Sequence, residues 1–271
     1  MTKITYVRAF QDNYIWLIVH EGHVCVVDPG EAKPVIDFVQ SQNLVLDAVL
    51  ITHHHNDHVG GVKGIVDFFS HVQANPVDVY GPKNPKLTFV NKPVTHEDKI
   101  KLFDFLEVSV FGTPGHTLDH LVYYSQVKVL TDNYDQSPFV FTGDTLFLLG
   151  SGKLFEGDSK IMFQSLEIFK QMSKNTLVFC AHEYTLNNSA WALEVDPQNF
   201  GLKELIAKYE SKRSKGLPTV PDTLDSQLSY NPFLRLSDPV IIKATQLYSG
   251  SSCDEPQKVL NVLRQWKNNF R

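Results

Sequence analysis

Three runs dominated by apolar residues open the chain, Ile4–Ala9, Tyr14–Val19 and Val24–Val27; Gly22 punctuates them and Asp28-Pro29-Gly30 stops them. Short runs of this kind, rich in β-branched and aromatic residues and bounded by turn formers, predict strands. Helical spacing follows over Ala32–Gln42, a strand returns at Asp47–Ile51, and helical spacing resumes from about His58 to Phe69. Further strands are expected across residues 100–146, including 121–124, and a helix over Ser159–Met172 precedes the apolar run Leu177–Cys180. The polar stretch Val127–Ser137 reads as a surface loop with no assigned chemistry.

Beyond His182 the pattern changes, because strand-like runs give way to helical ones at Leu186–Glu194, Leu202–Arg213, Pro239–Leu247 and Pro256–Phe270. The expected organisation is an α/β domain over residues 1–184 and a helical domain over residues 185–271. In the last helix Val259, Val262, Leu263, Trp266 and Phe270 recur at helical spacing and should be buried, with Pro256 marking the start.

Composition narrows the function classes. With 271 residues and 42% hydrophobic content, the chain can bury a sizeable core and shows no low-complexity tract. A formal charge of −5 offers no overall attraction for nucleic acid. No uninterrupted apolar stretch is long enough to span a membrane, and MTKITYVRAF lacks the pattern of a secretory leader, so a cytoplasmic protein is expected. Cys25, Cys180 and Cys253 are odd in number and far apart, which speaks against a disulfide framework.

The chemistry concentrates in Thr52-His53-His54-His55-Asn56-Asp57-His58-Val59-Gly60-Gly61, directly after an apolar strand. Imidazole and carboxylate are the ligands expected of zinc, iron or manganese. Alternation in extended backbone sends His53 and His55 to one side and His54 to the other, and a helix start after them re-aims Asp57 and His58. Further candidates end later apolar runs: His116 in Thr113-Pro114-Gly115-His116-Thr117, Asp144 in Phe141-Thr142-Gly143-Asp144-Thr145, and His182 in Cys180-Ala181-His182-Glu183. Loops at strand ends are where a rigid scaffold presents reactive side chains.

The ordered set HxHxDH, His, Asp, His resembles the metallo-β-lactamase superfamily, and closer wording resembles one branch, the hydroxyacylglutathione hydrolases or glyoxalases II. That wording comprises Asp12-Asn13-Tyr14-Ile15-Trp16, Val27-Asp28-Pro29-Gly30, THHHNDHVGG, TPGHT, FTGDTLF, AHEYT and Asn231-Pro232-Phe233-Leu234-Arg235. The resemblance implies an αββα sandwich followed by a C-terminal helical domain that selects the substrate. It implies two divalent ions, zinc first with iron or manganese as alternatives. His53, His55 and His116 would hold one ion, Asp57, His58 and His182 the other, and Asp144 would bridge; Asp57 and Asp144 also count as catalytic. The reaction implied is attack of a metal-bridging hydroxide on S-D-lactoylglutathione or another S-2-hydroxyacylglutathione, giving glutathione and D-lactate in the second step of methylglyoxal detoxification. A small-molecule glutathione thioester is then the partner, nucleic acid and membrane are not, and a monomer is expected.

The same resemblance points to Lys153, Tyr184, Arg264 and Lys267 as substrate contacts. Two carboxylates on glutathione call for cations, and Arg264 and Lys267 stand three apart on one helical face. His120, four positions after His116, is either a support for the metal ligands or a structural residue; His20, His23, His71 and His96 read as surface or structural. Ser151 stands where many relatives carry cysteine and Phe155 where some carry tyrosine, which bears on affinity more than on reaction type. Three other readings stay open: an iron oxygenase acting on glutathione persulfide, an RNA-processing nuclease, and a metal-stabilised binding module. The full ligand set disfavours the first, the charge balance the second, and a ligand count beyond one closed structural site the third.

Overall fold

The opening apolar runs build an antiparallel meander of β1 (Thr2–Ala9), β2 (Asn13–His20) and β3 (His23–Val27), the last two buried along most of their length. The protein is seen here as a computed structural model, which describes residues 1–132, 134 and 136–270. The chain divides into two compact units, one of residues 1–112 and 119–143, the other of residues 113–118 and 144–271.

In the first unit the sheet order is β1-β2-β3-β4-β5-β6, with β4 (Val45–Leu50), β5 (Asp78–Pro82) and β6 (Lys92–Val94) joining in parallel. Parallel neighbours need crossovers, and α1 (Ala32–Ser41) and α3 (Val62–Val72) provide them, with the short α2 (Asn56–Val59) preceding α3. Ile15, Leu17, Val24, Val26 and Val49 meet Val35, Val39, Ile65 and Phe69 of the helices in one core. Residues of the opposite parity, such as Ile18, Cys25 and Leu50, are also buried, so the sheet is covered on both faces. An antiparallel run follows from β7 (Lys99–Leu102) through β8 (Leu106–Gly112) and β9 (Leu121–Val129) to β10 (Ser137–Gly143). Backbone bonds between Ile4 and Leu130 (2.9 Å) and between Leu121 and Thr52 (2.8 Å) tie that run to the first sheet.

Among the described residues the second unit contains hairpin strands β11 (Leu146–Phe147) and β12 (Gly150–Ser151), the antiparallel pair β13 (Leu177–Cys180) and β14 (Asp222–Thr223), a 3-10 turn at Pro232–Leu234 and six α-helices. These are α4 (Ser159–Phe169), α5 (Thr185–Val195), α6 (Phe200–Ser214), α7 (Leu224–Tyr230), α8 (Pro239–Ser249) and α9 (Pro256–Asn269). Asp158, Asn199, Thr223 and Asp238 accept bonds from first-turn amides, and Pro239 and Pro256 occupy first-turn positions.

Several expectations change. The single helix expected from His58 to Phe69 is two, α2 and α3, parted at Gly60-Gly61, where the Gly61 amide donates to the Pro29 carbonyl at 2.9 Å instead of back along the helix. Strands β5 and β6 and helix α7 were not expected: β5 and β6 carry little alternation, and α7 is seven residues long. The expected loop Val127–Ser137 is shorter, since Val127–Val129 belong to β9 and Ser137 pairs with Val129; residues 133 and 135 lie outside the described ones. In α9, Val259, Leu263 and Trp266 are buried as expected, Val262 and Phe270 only partly, and Arg264 is buried as well. All three cysteines are buried thiols outside any disulfide.

Candidate active site

Strand β4 delivers its carboxyl end to the histidine run, and the first unit holds that run with a chain of directed bonds. Asp28 accepts from the Thr52 amide at 2.8 Å and the Thr52 hydroxyl at 2.7 Å. Having given its one proton to Asp28, the Thr52 hydroxyl can only accept from His53 Nδ1, 3.0 Å away. The proton of His53 is thereby fixed on Nδ1, and Nε2 keeps the lone pair. His58 Nδ1 likewise donates to Asp28 Oδ2 at 3.0 Å, which turns Nε2 toward Asp57 Oδ2 at 3.5 Å. His53 Nε2 and His55 Nδ1 approach to 3.0 Å, while His54 turns to Asp119 at 3.0 Å and Lys86 at 3.2 Å. The alternation read from the sequence is therefore realised. His120 stacks on His53 with ring centres 4.8 Å apart, and Asn13 donates to Asp57 Oδ2 at 3.2 Å.

The second unit presents His116, Asp144 and His182 together. Asp144 turns Oδ2 toward His116 Nε2 at 3.4 Å and Oδ1 toward His182 Nε2 at 3.3 Å. His116 Nδ1 donates to the Lys153 carbonyl at 2.9 Å, so its lone pair also sits on Nε2. Tyr184 stacks nearly parallel on His182, with ring centres 4.7 Å apart.

These donor spacings test whether the residues suit a divalent ion. Two ligand atoms about 2.0–2.1 Å from one tetrahedral zinc stand roughly 3.3 Å apart. The donor pairs within each unit span 3.0 to 3.5 Å. In His53, His58 and His116 the second ring nitrogen is held by a protein oxygen, as metal-bound imidazoles require. The donor set fits divalent metal ions.

A cavity of about 380 Å³ in the second unit is lined by His116, Asp144, Lys153, Tyr184, Arg264 and Lys267 among others, so every expected substrate contact shares it with two expected metal ligands. Lys267 Nζ donates to the Asn187 carbonyl at 3.2 Å and to its side chain at 3.0 Å. Burial and the neighbouring Arg264 charge push the Lys267 ammonium down to about 8. Arg264 is 5% exposed, and burial pushes its guanidinium down to about 10.

Residues 9–182 match the model of the metallo-beta-lactamase superfamily, and residues 183–270 match that of the hydroxyacylglutathione hydrolase C-terminus. The hydroxyacylglutathione hydrolase of Nitrosomonas europaea is 38% identical over 272 residues, covering 100% of this chain and 97% of that one. That of Vibrio parahaemolyticus is 41% identical over 271 residues, with both chains fully covered. The chain belongs to the hydroxyacylglutathione hydrolase family. In this family's superfamily fold, an α/β sandwich, it resembles the crystal structure of ETHE1 from Myxococcus xanthus, with a TM-score of 0.63, 20% identity, and coverage of 97% of this chain and 89% of that one. A second fold neighbour is the BLEG-1 B3 metallo-beta-lactamase, with a TM-score of 0.59, 22% identity, and coverage of 86% and 99%.

The departures from the family wording fall on the cavity. Ser151 lines it and lends Arg264 its backbone carbonyl, while Phe155 sets its ring against His116 with centres 5.2 Å apart. Sequence reading missed Asn13 and Asp28 as supports of Asp57 and His58, and Asn187 as the partner of Lys267. Asn13 and Asp28 lay in quoted motifs, and their roles depend on which distant residue they meet.

Proposed function

We propose that this protein hydrolyses S-D-lactoylglutathione and related S-2-hydroxyacylglutathiones to glutathione and the free hydroxy acid. One observation carries the reading: a single cavity joins two of the expected metal ligands, His116 and Asp144, to the cations Lys153, Arg264 and Lys267. The ligand roles follow the family: His53, His55 and His116 for one ion, Asp57, His58 and His182 for a second, Asp144 between them. Zinc is the proposed metal, with iron or manganese as substitutes. Such ions supply, when bound, Lewis acidity and ionised water at neutral pH.

The chain's own residues bind and orient. The cations hold the glutathione carboxylates, with Lys267 aimed by Asn187. Tyr184 packs on His182 and keeps that imidazole in plane. The leaving group needs little help, because a thiol with a pKa of about 8.5 departs as thiolate. Residues 1–184 form the catalytic domain and residues 185–271 the substrate-selecting one in this reading, and the enzyme works as a cytoplasmic monomer without nucleic acid or membrane. Among the described residues no helix is long and apolar enough to cross a membrane.

The test follows the thioester absorbance of S-D-lactoylglutathione with untreated, chelated and zinc-restored protein, beside an acyl thioester lacking glutathione. Metal-dependent loss selective for the glutathione conjugate is expected; a fully metallated sample that leaves it intact would sink the proposal.

A further inference from the structure

Arg264 belongs to the substrate cavity, and its bonds run into the cavity's own wall. Nη1 donates to the Ser151 carbonyl at 2.8 Å, with the Ser151 hydroxyl at 3.4 Å and the Gly152 carbonyl at 3.5 Å. Nε donates to Asn268 at 3.1 Å, and the guanidinium lies 5.1 Å above the Phe233 ring. Among the described residues no carboxylate pairs with it. Beside its place in the substrate cavity, this buried guanidinium, met by neutral acceptors, fixes the backbone of residues 151 and 152.

The other side of the same short segment faces metal ligands. The Lys153 carbonyl accepts from His116 Nδ1 at 2.9 Å, and the Phe155 amide returns a bond to the His116 carbonyl at 3.2 Å. Gly152 donates to the Thr145 carbonyl at 3.1 Å. A side chain at Gly152 would strike the Asp144 carbonyl and come within 3.1 Å of His116 Nδ1. The segment is thus pressed between the guanidinium and the imidazole, with no room to shift independently.

We propose that Arg264 is a positioning residue for His116: clamping Ser151 and Gly152, it holds the Lys153 carbonyl that fixes the imidazole, and so couples the substrate cavity to metal affinity. The inference rests on the reading of His116 as a metal ligand. Loss of an outer partner of a metal-bound histidine weakens metal binding by about 10- to 100-fold. A residue that only docks substrate carboxylates would raise KM and leave metal affinity alone.

The experiment measures zinc affinity by competition with a chromogenic chelator, and kcat and KM for S-D-lactoylglutathione, in wild type, R264M, R264K, K267M and H116A. R264M should lose at least about tenfold in zinc affinity, with kcat falling alongside. R264K should lose zinc affinity too, since lysine keeps the charge without the planar fork that reaches Ser151, Gly152 and Asn268 together. K267M, whose bonds run to Asn187, should raise KM with zinc affinity within about twofold of wild type. Zinc affinity within about twofold of wild type in R264K, with only KM raised, would overturn the proposal, and R264K decides alone if R264M does not fold. Unchanged zinc affinity in H116A would overturn it by removing the ligand it rests on. Failure of wild type to cleave the thioester would count against the proposed function, while the zinc measurements would still decide the coupling.

Discussion

Asp28 Oδ2 lies 3.0 Å from His58 Nδ1, a contact between buried side chains 30 residues apart in sequence. Asp28 also takes both Thr52 donors and sits in the left-handed region at φ 51°. Asparagine tolerates that backbone as well as aspartate, so Asp28→Asn isolates the bonding role. One amide oxygen cannot replace two carboxylate oxygens accepting three bonds. Zinc affinity in D28N should fall about 10- to 100-fold, as read by chelator competition; wild-type affinity would show that Asp28 does not orient His58.

Asp144 addresses His116 with one oxygen and His182 with the other, at 3.4 and 3.3 Å. Removing the carboxylate should cost metal and turnover together. In Asp144→Ala, metal content by elemental analysis and kcat should both drop severely. Full metal content with a normal rate would refute a bridging role.

Lys267 titrates near 8, below its ordinary 10.5, because burial and Arg264 disfavour the ammonium. The free enzyme therefore carries this charge below about pH 8 and loses it above. KM for the anionic thioester should stay flat up to about pH 8 and climb beyond it, with kcat less affected. Folding stability moves the other way: the unfolded lysine binds its proton more tightly, so the cost of burying the charge is relieved as pH rises from about 8 to 10.5. Lys267→Met should show a raised KM without that upturn; an identical upturn in the variant would assign it to another group.

Gly30 leaves no space for a methyl group. A side chain there would strike the Asp57 carbonyl and come within 2.7 Å of Phe10 Cε2. Gly30→Ala should destabilise the protein by about 1–3 kcal/mol through overpacking and weaken zinc binding by displacing Asp57. Urea denaturation beside chelator competition checks both, and wild-type values in each would contradict the packing argument.

The opening meander, α1, α4, α8 and α9 were legible in the sequence because each carries a hydrophobic period or a proline start signal that acts over a few residues, and α5 and α6 because strand-like runs end at His182. The histidine run was legible for a related reason: alternation in extended backbone separates His53 and His55 from His54 within three residues. Strands β5 and β6 were not, since Asp78–Pro82 and Lys92–Val94 gain their order from parallel partners distant in sequence rather than from their own pattern.

By itself the sequence determined which donors this chain owns, the order in which strand ends present them, and the family whose wording they share. Only the tertiary structure decided which nitrogen of His53, His58 and His116 keeps its lone pair, because Thr52, Asp28 and the Lys153 carbonyl fix the protons through contacts that packing creates. Packing likewise gave Arg264, expected as a substrate contact, its buried bonds to Ser151, since burial and hydrogen-bond geometry depend on elements far apart in the chain, and helical spacing reports only the face.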